Sequence, residues 1–284
     1  MKKIIPIFLL FASLLFVSCD KIKGPYNEIN VAPVDTTAEV KQRKVLIEDF
    51  TGHRCPNCPR AAEAIKSLQQ LRPGKVIAIG VHVTVQFAAP GSGIYFIDFR
   101  TPVGNSNDSL FQVSALGLPT GMVNRLRVNG IRRIEYSKWS QYADSLLNLP
   151  AQAFITIENS YNAASRTLTT TVKSDFLVDT LAGNYKLAVY LTEDSIVHAQ
   201  KDNLIASPSN DSNYVHQHVL RGSINGTFGE ALNTSPVNSS STFTKTYTKV
   251  LNAAWKENHC AVVAFIYDDT TKEVLQAEEH EVVE

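Results

Sequence analysis

What this chain of 284 residues lacks narrows its function before any motif is considered. Lys and Arg number 27 and Asp and Glu number 27, so neither sign is in excess. A balanced chain produces no long-range field toward nucleic acid or an anionic surface, and no nucleic-acid partner is expected. Cysteine is scarce, with four in the whole sequence. That excludes a disulfide-stapled scaffold, and hydrophobic cores must carry the fold. Beyond the N-terminus no apolar run approaches the roughly 20 residues of a spanning helix. Internal repeats are missing, and so is a second C-x-x-C that would complete a four-thiolate zinc site.

What is present begins with an export signal. Lys2 and Lys3 form a positive start, and residues 4–17 are almost unbrokenly apolar. This run is too short and too one-sided to span a bilayer, and residues 1–18 read as a signal peptide. It closes on Leu15-Phe16-Val17-Ser18-Cys19. Apolar residues, a small residue and then cysteine resemble the lipobox of bacterial lipoproteins. The resemblance implies cleavage before Cys19, diacylglycerol on its sulfur and a further chain such as palmitate on its nitrogen. Several acyl chains give a firm membrane anchor. The other reading is an ordinary secretory signal with an incidental cysteine. Residues 19–43 mix Pro, Asn, Asp and Thr without periodicity and read as a flexible tether.

From residue 44 onward the periodicity is clear. Residues 44–50 read as a buried strand. In 59–71, Ala61, Ala64, Ile65, Leu68 and Leu71 fall at helical spacing, and Arg72-Pro73-Gly74 stops the helix. Residues 75–85 read as a second strand, buried on both faces. Residues 86–108 are irregular, and 109–115 form a short helix. Segments 121–127 and 131–135 flank Val128-Asn129-Gly130, whose Asn-Gly signals a hairpin. Residues 137–149 form a helix with Trp139, Tyr142, Leu146 and Leu149 on one face, ended by Pro150. After Pro150 come β-rich runs at 153–159, 167–176, 185–192, 242–250 and 261–267, separated by turn residues. They suggest an antiparallel β-sandwich over 151–284.

The chemistry concentrates in Asp49-Phe50-Thr51-Gly52-His53-Arg54-Cys55-Pro56-Asn57-Cys58-Pro59. A first cysteine at a helix N-terminus meets free N–H groups and the positive dipole end, and both favour the thiolate. A C-x-x-C at a strand-to-helix junction, followed later by Leu118-Pro119-Thr120, resembles the thioredoxin family. The resemblance implies a thioredoxin-like domain over 44–150, an α/β unit ahead of the all-β domain. It implies a Cys55–Cys58 disulfide in which Cys55 attacks and Cys58 resolves. Asp49 would relay a proton, and Leu118 and Pro119, as a cis-proline loop, would dock substrate backbone. Partners would be protein thiols or disulfides of the envelope. Arg54 stands where the family has tryptophan, and Pro59 would remove a backbone donor in the first helical turn. Two other readings stay open. The disulfide is purely structural, or Cys55, Cys58 and His53 form a soft metal site. No metal or other cofactor is assigned.

In the second half, His216 and His218 share one face if their segment is extended, either as a hydrogen-bonded pair or as two ligands of a metal. Cys260, beside an apolar run, reads as a buried inert thiol. Signal, lipobox, the C-x-x-C segment, Tyr214-Val215-His216-Gln217-His218-Val219-Leu220-Arg221 and Val274-Leu275-Gln276-Ala277 together resemble the outer-membrane protein 28 family of Bacteroidota lipoproteins. The resemblance implies a lipid-anchored envelope protein of the outer membrane, here placed on the periplasmic side. Two functions follow as expectations. The first is a thiol–disulfide oxidoreductase. The second is a non-enzymatic lipoprotein for adhesion, binding or assembly, whose disulfide pins a loop.

Overall fold

The computed structural model describes residues 41–233 and 236–283. The expected signal peptide, the Cys19 lipidation site and the tether up to residue 40 lie outside the described residues. Lys41–Glu284 forms one compact unit.

Strand β1 (Val45–Thr51) is buried nearly throughout and pairs in parallel with β2 (Val76–His82), with Asp49 opposite Gly80. Between them runs α1 (Cys58–Leu71). A strand–helix–strand crossover is the usual way to bring two neighbouring strands into parallel pairing. Pro59 falls in the first turn of α1, where its missing N–H has no helical partner to lose. The donor it removes is therefore one the helix does not use.

The irregular stretch carries more structure than its sequence suggested. A short α2 (Val85–Ala88) starts at Thr84, whose side chain accepts from the Phe87 N–H. Helix α3 (Pro102–Phe111) is capped by Thr101 in the same manner, with Pro102 opening the first turn. A 3-10 turn, Val113–Leu116, then leads to the cis Leu118–Pro119 bond and to β3 (Thr120–Val123), antiparallel to β1. The expected hairpin is shortened because Asn124 and Arg125 leave the strand at φ of 45° and 52°. Its turn survives: Val128 pairs Ile131 across Asn129 (φ 53°) and Gly130 (φ 80°). Helix α4 (Trp139–Leu147) closes this half. Gly121 lets it pack closely, since a Cβ there would meet the Glu48 carbonyl at 2.5 Å and the Trp139 ring at 2.6 Å.

The β-rich runs become β4 (Ala153–Asn162), β5 (Thr167–Phe176), β6 (Tyr185–Glu193), β8 (Thr242–Val250) and β9 (Cys260–Asp268), and two strands outside those runs join them, β7 (Val219–Ser223) and β10 (Val274–Glu281). They do not form a separate sandwich. Strand β7 pairs β2 in parallel and β6 antiparallel, giving one sheet in the order β10-β9-β6-β7-β2-β1-β3, with Glu230–Ala231 added beside β6. The boundary expected at Pro150 therefore does not divide the packing. Strand β2 is buried on both faces and needs a second neighbour, and its partner comes from more than a hundred residues away.

One face of this sheet is a single core reaching from Leu46, Phe50 and Ile79 to Tyr190, Phe265 and Tyr267. The opposite face is covered in two parts. Helices α1 and α4 lie over β1 and β2, through Ala61, Ile65, Leu68, Trp139 and Ala143. The three-stranded sheet β8-β5-β4 lies over β6 and β9, through Ile155, Ile157, Leu168 and Val172. Sandwich packing is thus real but local, and it shares its main sheet with the α/β half.

Candidate functional site

At the end of β1 the chain turns tightly through Gly52. A Cβ there would lie 2.5 Å from the Phe87 carbonyl oxygen, so only glycine lets the loop pass under α2. Cys55 and Cys58 are joined in a disulfide with Cα atoms 5.4 Å apart, at the start of α1. Neither is open to solvent: Cys55 is 1% exposed and Cys58 is 2% exposed.

Two segments cover the bridge. From the first, the Phe87 carbonyl accepts the Arg54 N–H at 2.9 Å. The second lies between β6 and β7. Its ribbons pair Ile196–Val197 with Val215–His216 and Gln200–Lys201 with Asn210–Asp211. The buried Gln200 amide donates to the Cys55 carbonyl at 2.9 Å. The Lys201 N–H donates to His53 O at 2.8 Å, and the Asn203 N–H to Pro56 O at 3.0 Å. The two covers are tied together where Tyr95 Oη meets Asn210 Oδ1 at 2.5 Å.

Beneath them sits a cluster that the sequence did not announce. His53, His82, His198 and His216 are all buried, and their rings surround Phe99 at centroid distances of 5.6, 4.9, 5.7 and 5.0 Å. Burial pushes each imidazole pKa down, His53 to about 4 and His216 to about 3. Both ring nitrogens of His53 and of His198 have no hydrogen-bond partner among the described residues. These rings are therefore neutral at pH 7. A thiolate at Cys55 would therefore gain no positive charge from His53.

His216 and His218 do not share a face. The extended pairing ends at His216, and His218 takes a φ of 55°. Its Nε2 lies 3.2 Å from Gln69 Oε1 and its Nδ1 lies 3.3 Å from Asp194 Oδ1. No group of three or more His, Cys, Asp or Glu among the described residues is placed to hold a metal. Both sulfurs of the C-x-x-C are also shared in the disulfide, so neither is a thiolate ligand.

Asp49 lies on the α1 face of β1, as Val45 and Ile47 do. It is 4% exposed, and its Oδ1 has no hydrogen-bond partner among the described residues. Burial raises its pKa to about 8, against the pull of His218. It borders a cleft of about 510 Å³ lined also by Glu63, Lys66, Gln69, Tyr214 and His218. Pro119 precedes Thr120, which pairs Phe50 of β1, so the cis bond stands at the end of the sheet from which the Cys55 loop departs. Leu118 packs against the sheet core. Cys260 is buried, and burial raises its thiol to about 12.

Sequence reading missed Gln200, His82, His198 and Phe99. His82 carried a faint signal as a polar residue closing an otherwise apolar strand; the other three stand in segments with no periodicity to mark them.

A family model described as outer membrane protein Omp28 matches residues 106–284. Among solved structures, HBP35 of Porphyromonas gingivalis superposes with a TM-score of 0.65 at 17% identity, covering 85% of this chain and 76% of that one. A protein from Agrobacterium tumefaciens superposes with a TM-score of 0.50 at 13% identity, over 87% of this chain and 97% of that one. A domain of the outer membrane lipoprotein Omp28 from Porphyromonas gingivalis is 22% identical, over 46% of this chain and 88% of that one, with a TM-score of 0.32. No curated protein matches significantly. At these identities the structural likenesses speak for the fold alone.

Proposed function

Starting from a chain that belongs to the outer membrane protein Omp28 family, we propose a lipid-anchored envelope protein that binds or assembles and does not turn over its disulfide. Cys19 is its anchor. The observation that carries this reading is the cover over the C-x-x-C. A redox-active pair has to meet a second sulfur in line with its own, and Cys55 is 1% exposed beneath two hydrogen-bonded segments. In this reading the bridge pins the loop between β1 and α1 so that the covers have fixed carbonyls to bind.

Equilibration of the full chain with glutathione, followed by thiol alkylation, tests it. The pair is expected to stay oxidised to potentials below about −300 mV, with no alkylation of Cys55 under native conditions. A potential between about −120 and −270 mV, with Cys55 alkylated first, overturns it. Anchoring is checked by fractionation: Cys19→Ser is expected to leave the membrane fraction, and retention there removes the lipid anchor from the reading.

One observation favours a second reading, a thioredoxin-like oxidoreductase acting on envelope protein thiols. Asp49 is a buried acid with a pKa near 8 on the face covered by the C-x-x-C helix. A group titrating there can hand a proton to the resolving Cys58. That reading requires the covers to open, and the same reduction experiment decides between the two.

A further inference from the structure

The balanced charge of the chain hides a local concentration. A cleft of about 450 Å³ lies between the end of α3, the Asn129-Gly130 turn and the turn joining β9 to β10. Arg127, Arg132, Arg133 and Lys272 line it, and no Asp or Glu does. Of the acidic residues close by, Asp268 and Asp269 are occupied. Asp269 takes Lys272 at 2.6 Å and Lys186 at 3.4 Å, and Asp268 Oδ1 accepts the Thr270 and Thr271 N–H groups. No described carboxylate pairs with Arg127 or Arg133.

Arg132 makes the cleft more than a solvated patch. It is 8% exposed, and its guanidinium donates to the carbonyls of Arg125 and Thr271. Those two bonds fix its plane against the Phe111 ring, 5.7 Å away. A carbonyl satisfies a donor but forms no ion pair; Arg127 and Arg125 repel Arg132, and Glu273 attracts it without a salt bridge. Burial of a cation that makes no ion pair is a cost that an anion in the cleft would relieve. Arginine suits phosphate, which accepts its planar pairs of donors. Leu110 (49% exposed) and Ile131 (50% exposed) put apolar surface on the same cleft.

We propose that this cleft is a phosphate-binding site, with Arg127, Arg132 and Arg133 on the phosphate and Leu110 and Ile131 against an adjoining apolar group. It stands apart from the C-x-x-C and does not depend on how that motif is read. The phosphate is either free or the head of a lipid, and two probes separate these sources.

The test is calorimetric titration of the full chain carrying Cys19→Ser, so that no anchor competes. The probes are inorganic phosphate and dihexanoyl phosphatidic acid below its micelle concentration, with dihexanoyl phosphatidylcholine as control. Binding of either phosphate probe is expected, weakened about tenfold or more by Arg127→Gln with Arg133→Gln. Both side chains lie outside the cores, and an unchanged melting temperature shows that the variant is folded. Tighter binding of phosphatidic acid assigns the site to lipid, and equal binding assigns it to free phosphate. Lys245→Gln with Lys249→Gln, on β8, is expected to change nothing. The proposal is overturned if neither phosphate probe binds, if phosphatidylcholine binds as well as phosphatidic acid, or if both double variants lose binding equally.

Discussion

Glu48 and Asp49 are adjacent acids, both buried, and the pleat of β1 sends them to opposite faces of the sheet. Glu48 finds Arg125, whose guanidinium makes two bonds to it at 2.8 Å while lying 4.8 Å from the Phe265 ring and 4.9 Å from the Phe111 ring. Asp49 finds no such cation. A buried ion pair adds little net stability, but removing one partner strands the other charge. Glu48→Gln is therefore expected to cost about 3–5 kcal/mol in urea unfolding, because Arg125 stays charged in an aromatic cage. Adding Arg125→Met is expected to recover most of that loss, since the rings around Arg125 accept an apolar chain. A double variant no more stable than Glu48→Gln alone would mean that the pair contributes more than its charges. The strand was legible from its apolar run, but this pairing was not. The partner is 77 residues away, and nothing local to Glu48 distinguishes a paired acid from a strand-end acid.

At the scale of elements, the sequence shows what each segment is and hides what covers it. Helix α1 was readable because Ala61, Ile65 and Leu68 pack as their spacing requires. The cover over its N-terminus was not, because it rests on carbonyl-to-amide contacts between segments without periodicity. The buried histidines set its pH dependence. A histidine with a lowered folded pKa holds fewer protons folded than unfolded below about pH 6.5, so acid favours unfolding. Stability is expected to fall from about pH 6.5 toward 4, and His53, at about 4, accounts for something on the order of 3 kcal/mol of it. Asp49, raised to about 8, and Glu279, raised to about 7, work in the other direction. Each keeps a proton in the folded state that it releases when unfolded, so stability falls as pH rises from about 4 toward those values. With four histidines on the acid side, the maximum is expected near pH 6.5. Denaturant midpoints across pH check this. His53→Phe should flatten the acid limb and Asp49→Asn the alkaline limb, whatever either does to stability at the maximum. An acid limb unchanged in His53→Phe would mean that His53 is not held neutral.

Across the whole molecule, five strands of the second half were visible in sequence but β7 and β10 were not, and the pairing crosses the expected boundary. Alternation marks a strand without naming its neighbour, and the sheet closes through a contact between β7 and β2, where Val219 meets Gly80. One core face then runs under both halves, from Ile79 to Tyr190 and Phe265. A structure built this way has no place at Pro150 to come apart. Calorimetry of the full chain is expected to give one transition over residues 41–284, with matching calorimetric and van't Hoff enthalpies. The sharper check is a fragment ending at residue 150. It would keep β1, α1, β2, β3 and α4, yet leave one edge of β2 unpaired and strip the β6 and β9 side chains from the shared core. Such a fragment is expected to show no cooperative unfolding transition, with exposed apolar surface that binds a hydrophobic dye. A fragment that melts cooperatively would instead make the first half an independent folding unit. The second half would then be an addition to it, and the shared core a docking surface.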